Sequence, residues 1–324
     1  MKVQLYNVFA DNYILQLAYE AEDYTISSNY VEIEDEKIIK VLNKVAEIAD
    51  HKALMTKDKD LPFTKPNDTN ARDIIFKCYN IIDTEILLST LFKQEVKECG
   101  KVTAPAFIKP ERYEYDKAGK RFQVSTQYVV LALAGWVLTK VIDIKDGKEV
   151  HMFMPNKDIL YNLQLNLESG KLDILEKPET ALSLLLASEI NNVIDTVGAV
   201  KLNYAHVYIM KKKDPLYMIS SGSMIELGKL LSEKGRQLLN RQLETFAKKA
   251  LNEKDDMRTY YIRLVNYIYE YITGSRRIED IIYFANRDLM LNKDSNVEKV
   301  KELKQVVNYV NNVLFNEALR EGLI

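Results

Sequence analysis

Cysteine is almost missing from this chain. The two present, Cys78 and Cys99, are too few for a disulfide framework and lack the paired spacing of a metal site. Two isolated thiols point to an intracellular, reducing compartment. Glycine (11) and proline (7) are scarce, so loops are few and no low-complexity linker is expected. The three histidines, His51, His151 and His206, are too far apart to pair as metal ligands. There is no Gly-rich phosphate loop and no G-x-S-x-G elbow. No cofactor is therefore expected, and no catalytic group. Charge of one sign is not in excess either: the formal net charge is -2, which rules out a polycation. Long hydrophobic runs are missing too. The most apolar stretch, "QYVVLALAGWVLTKVIDI", has about 12 uncharged residues where a bilayer-spanning helix needs about 20. A buried core segment and no membrane are expected. The start, "MKVQLYNVFADNY", lacks a signal-peptide pattern, and a cytoplasmic location is expected.

What the chain does have is length for about two domains, and 47% hydrophobic residues to fill their cores. Its charge is unevenly spread. Residues 201–324 carry 21 Lys and Arg against 16 Asp and Glu, while residues 1–200 carry 24 against 31. Residues 2–9 alternate like a strand, and "DNYILQLAYEA" offers an Asp N-cap and a helical face at Ile14, Leu17 and Ala18. Ile38, Val41, Leu42, Val45, Ile48 and Ala49 share the face of a second helix, and residues 72–98 read as one long third helix. Residues 125–135 read as buried helix or strand, and 137–154 as a hairpin turning at "KDGK". A helix over "PETALSLLLASEINNVI" and a hairpin over "HVYIMKKKDPLYMIS" follow. From about residue 223, four helical patterns run in series with no strand signal between them. The expected fold is α+β: a mixed α/β domain with antiparallel hairpins over 1–222, then a C-terminal four-helix bundle over 223–324.

Basic residues are the strongest functional signal. Lys211, Lys212 and Lys213 crowd a hairpin tip. The polar loop 56–72 holds Lys57, Lys59, Lys65, Asn67, Asn70 and Arg72, donors suited to phosphates and base edges. Lys109, Arg112, Lys117, Lys120 and Arg121 interleave with Tyr113 and Tyr115. The tail adds Arg236, Arg241, Lys248 and Lys249 along one stretch and Arg276 and Arg277 at a junction. Such cations gain affinity for nucleic acid by releasing counterions, and tyrosines beside them can stack unpaired bases. Tyr260, Arg263 and Tyr267 fall on one helical face, where core packing is the competing reading. Asp255-Asp256 and Glu279-Asp280 could feed a metal site, but each pair stands where a helix begins and complements its dipole.

The succession of "VSTQYVVLALAGWVLTKVIDIKDGKEVHMFMP", "KPETALSLLLASEI" and "NYAHVYIMKKKDPLYMIS", then a helical tail, resembles the large subunit of the archaeal type I-A CRISPR interference complex (Cascade). The resemblance implies a non-catalytic subunit that binds crRNA and target DNA and helps recognise the protospacer-adjacent motif. It would hold displaced DNA, contact the other subunits and recruit the helicase-nuclease effector. The lysine tip would then be a sequence-independent phosphate contact, with guide pairing supplying specificity. Two other readings stay open: a metal-dependent nuclease whose carboxylates meet only in the fold, and an interaction scaffold without nucleic acid.

Overall fold

The computed structural model describes residues 1–55, 69–81, 87–108, 122–144, 148–154, 157–168, 179–197, 204–213, 216–252 and 256–320. The fold is mixed α/β with antiparallel sheets. Two compact units share the chain, and neither is continuous. One comprises Met1–Glu168 and His206–Ser223, the other Ser169–Ala205 and Met224–Ile324. Against the expected division at 222/223, residues 169–205 therefore sit with the tail.

The first unit opens with β1 (Lys2–Gln4), α1 (Asp11–Ala21), β2 (Tyr24–Ile26), β3 (Tyr30–Ile33) and α2 (Asp35–Met55). The expected strand over 2–9 stops at Gln4, and the chain turns through Asn7 at φ 57°. Asp11 does not cap α1. It lies inside the helix, and its carboxylate accepts from the Tyr6 and Val8 amides (3.2 Å each) and the Tyr128 hydroxyl (2.5 Å), so it holds the preceding turn. The predicted apolar face of α2 is buried at all six positions.

The expected long helix over 72–98 is two helices among the described residues, α3 (Thr69–Tyr79) and α4 (Leu87–Phe92). Asn80 ends α3 in the left-handed region at φ 54°. The Ile81 amide bonds back to the Phe76 carbonyl (3.0 Å), a Schellman-type stop that periodicity alone does not show. β4 (Lys101–Thr103) pairs with β5 (Gln123–Ser125), and α5 (Thr126–Thr139) follows with the Ser125 side chain as its cap. α5 is apolar all round and packs against α1 and α2 at the centre of the unit. Gly135 permits the approach: a Cβ there would lie 2.7 Å from the Tyr13 Cβ and against its carbonyl.

Two thiols expected to be free are joined, which removes the argument they gave for a reducing compartment. Cys78 near the end of α3 and Cys99 just before β4 form a disulfide, with Cα atoms 6.1 Å apart, a normal span for one. Sequence spacing hid it, because the turn at Asn80 and the return through 87–100 bring residues 21 apart together. β6 (Lys140–Ile144) and β7 (Lys148–Phe153) form the expected hairpin. α6 (Lys157–Glu168) follows, and β8 (Ala205–Lys213) and β9 (Leu216–Ile225) complete a sheet in the order β6-β7-β8-β9.

The second unit gathers α7 (Glu179–Val197) with the tail. The first of the four expected helical stretches breaks into α8 (Leu227–Leu230), α9 (Glu233–Leu238) and α10 (Arg241–Leu251). Ser232 and Asn240 stop the chain and recap it: Ser232 accepts from the Gly235 amide, Asn240 from those of Gln242 and Leu243. Then come α11 (Arg258–Ile272), α12 (Ile278–Leu291), α13 (Val297–Tyr309), a π-turn over Val310–Leu314 and α14 (Phe315–Arg320). α7 packs on α10 and α11, so the unit is not the bundle of four successive helices that the sequence suggested. Its core centres on Phe246, stacked on Tyr261 (5.6 Å) and edge-on to Tyr309 (5.4 Å).

Candidate nucleic-acid interface

The sheet of the first unit sets the position of the lysine run. β7 and β8 are antiparallel, with Val150 opposite Ile209 and Lys148 opposite Lys211. This register brings the β6–β7 turn and the β8–β9 turn to the same end of the sheet. Lys211, Lys212 and Lys213 therefore finish β8 beside Lys148, which begins β7. Lys211 is exposed and Lys148 half-buried. Like charges directly opposite on a sheet repel, at a cost of a few tenths of a kcal/mol up to about 1. Among the described residues neither amine has an ion-pair partner that would offset the repulsion. An anion bound between them would relieve it.

Behind this end the charges are paired. Lys140 spans Asp143 (2.9 Å) and Glu149 (3.8 Å) and lies over the Trp136 ring (4.8 Å). His151 is fully buried, its ring nitrogens 3.1 Å from the Thr139 hydroxyl and 3.3 Å from the Glu149 carboxylate. That makes it structural. His206 is exposed near the start of β8.

The other predicted residues scatter. Lys57, Lys59, Lys65, Asn67, Lys109, Arg112, Lys117, Lys120 and Arg121 lie outside the described residues. Asn70 is exposed, whereas Arg72 leans on Asp73 (3.7 Å) and the Phe76 ring (5.4 Å). In the second unit Lys249 is held by Glu302 (2.6 Å) and lies 5.1 Å from the Tyr261 ring. Arg276 is bound to Glu270 (2.5 Å) and Asp280 (3.7 Å) and stacks on Tyr267 (3.7 Å). Arg236 donates to Asn191 (2.9 Å). These three serve the fold. Arg241 and Arg277 are exposed and Lys248 is half-buried, with no ion pair among the described residues. Tyr260 stacks on Phe284 (4.9 Å, 16°) and Tyr267 meets the same ring edge-on (5.1 Å), so this tyrosine face is packing. Arg263 between them is exposed.

Of the carboxylate pairs, Asp256 is exposed in the turn before α11, and Asp280 takes Arg276. Among the described residues no three His, Cys, Asp or Glu side chains converge as a metal site would need, and no helix is long and apolar enough to cross a membrane. The sequence reading missed Lys148. Its signal was present: two predicted hairpins that pair antiparallel place the lysine after "KDG" beside the lysine run.

Compared with known families, the chain falls among the CRISPR-associated proteins. It belongs to the family described as CRISPR-associated protein, CsaX, whose model matches residues 31–289. No curated protein and no solved structure matches it.

Proposed function

We propose that the chain is a non-catalytic, nucleic-acid-binding subunit of a CRISPR RNA-guided DNA surveillance complex, acting in the cytoplasm. Family membership supports a role in CRISPR defence and contact with other CRISPR components. The finer assignment is the large subunit of an archaeal type I-A complex. In that role the chain helps recognise the protospacer-adjacent motif, holds DNA beside the crRNA and recruits the helicase-nuclease. The observation that carries the nucleic-acid reading is the Lys148–Lys211 pair, opposed across the sheet and without an ion-pair partner among the described residues. Lysines held this way contact phosphate without reading sequence.

The test replaces Lys148, Lys211, Lys212 and Lys213 by Ala and measures DNA and RNA binding across a salt series. Affinity should fall about equally for all sequences. The slope of log affinity against log salt should flatten by about one unit per lost phosphate contact, four at most. Unchanged affinity with an unchanged slope would return these lysines to the role of a solvated sheet end.

A further inference from the structure

The first unit carries a second polar surface, distant in sequence from the lysine run. On β4 and β5, Val102 and Val124 point into the core, so Lys101, Thr103, Gln123 and Ser125 share the outward face. Two shallow clefts flank this ribbon, and Lys101 lines both. One, of about 310 Å³, lies against α3, where Asn70 and the 42%-exposed Ile74 complete it. The other, of about 370 Å³, lies toward β1 and β3, with Lys2, Gln4, Tyr30 and Gln127. The aromatic floor of the second cleft is fixed, because Tyr6 packs edge-on to Phe122 (5.7 Å) and Tyr128 (4.8 Å). Its hydroxyl also accepts from the Ser125 amide (3.2 Å).

We infer that the two clefts bind two successive unpaired nucleotides of a single strand, with the phosphate between them on Lys101. Each cleft has what one base needs: an apolar surface to lie on, Ile74 in one and the Tyr30 ring in the other, and amides that both donate and accept. Gln123 and Asn70 serve the first base, Gln4 and Gln127 the second. One carboxylate lines each cleft, Asp73 and Glu98 respectively, an acceptor for a base amino group. Lys101 is exposed and has no ion pair among the described residues. Lys2 now covers the Tyr30 ring at 3.7 Å. It would move aside to a phosphate when a base stacks there.

A duplex cannot satisfy this arrangement, because paired bases do not offer their faces one at a time. A phosphopeptide would meet one phosphate site but leave the amides of both clefts unused. A cation would need several converging ligands, and among the described residues no three His, Cys, Asp or Glu side chains converge. The site rests on the reading of the chain as nucleic-acid-binding, and adds to it a preference for unpaired bases at a defined place.

The experiment uses the full chain with fluorescein-labelled single-stranded DNA, single-stranded RNA and duplex DNA of one sequence. Lys101→Ala and Tyr30→Leu should each weaken binding of a single strand and leave duplex binding as it was. For Tyr30 the loss expected is about five- to 150-fold, the range covered by one base–aromatic stack. A larger loss for RNA than for DNA would assign the natural strand as RNA, and the reverse as DNA. A strand carrying a photoreactive 4-thiouridine, mixed with the wild-type chain, should cross-link to peptides containing Tyr30 or Gln127, which needs no folded variant. Single-strand binding unchanged in both variants, or cross-links confined to other peptides, overturns the cleft while leaving the lysine sheet end in place. Failure of the wild-type chain to bind any nucleic acid overturns the functional reading itself, and the cleft with it.

Discussion

Glu20 gives the sharpest physical test of the fold that presents these surfaces. It sits near the end of α1, only 9% exposed. It accepts from Gln16 (3.1 Å), whose amide also reaches the Met154 carbonyl, and Lys157 stands 3.8 Å away. Burial raises its pKa from 4.5 to about 7, outweighing the amide and amine of Lys157, which pull the other way. The fold therefore accepts the protonated acid and resists the carboxylate. The sign follows from linkage: this contribution to stability is full below pH 4.5 and is lost as pH rises through about 7. The shift corresponds to about 3 kcal/mol at pH 8. Glu20→Gln keeps the shape and the acceptor for Gln16 but cannot ionise. Its advantage over wild type should be near zero at pH 4.5 and reach about 3 kcal/mol at pH 8. Trp136, the chain's single tryptophan, is buried in the same unit, so urea unfolding followed by its fluorescence reports the right transition. A difference between the two proteins that stays flat from pH 4.5 to 8 would refute the reasoning.

Three further outcomes are expected. Gly135→Ala drives a methyl group into the Tyr13 backbone and should cost about 3 kcal/mol, the upper part of the usual overpacking range; a thermal midpoint within 2 °C or so of wild type, less than 1 kcal/mol shifts such domains, would contradict that. Reducing the Cys78–Cys99 bond, which closes a 21-residue separation, should lower stability of the first unit by about 3 kcal/mol on the chain-entropy account. An unmoved Trp136 transition with and without reductant would argue against the tie. Lys249→Met removes the ion-pair partner of Glu302 but leaves its Tyr261 donor; together these two hydrogen bonds hold the Glu302 pKa below 4.5 against burial. Because a depressed carboxylate contributes above its unfolded pKa, the loss should show at pH 7 and fade as pH falls below 4.5; equal losses at pH 3 and pH 7 would show that only packing was disturbed.

Much of the first unit was legible in the sequence, because its signals are local. The apolar spacing of Ile38 to Ala49 gave α2, and "KDGK" between two β-rich runs gave the β6–β7 hairpin. What failed depended on contacts across the chain. Nothing in periodicity distinguishes Asn80 as a left-handed stop from a polar residue inside a longer helix. The Cys78–Cys99 bond depends on that same turn. α7 was recognised as a helix, but its place beside α10 and α11 is a packing outcome that local pattern does not encode. The candidate site divides similarly. Charge count identified the lysine run, yet it gave equal weight to Lys249 and Arg276, which the fold spends on Glu302 and Glu270. Strand register, which needs two hairpins placed together, added Lys148 opposite Lys211.

The most direct test of the central claim is recovery of the tagged chain from the cells that make it, with sequencing of whatever nucleic acid accompanies it. A subunit of an RNA-guided complex should bring down short RNA of narrow length distribution that carries a shared end sequence, together with other CRISPR-associated proteins. The RNA should be lost in the variant lacking Lys148, Lys211, Lys212 and Lys213 only as far as the chain itself holds it. A chain recovered alone, free of RNA and of CRISPR-associated proteins, would contradict the account.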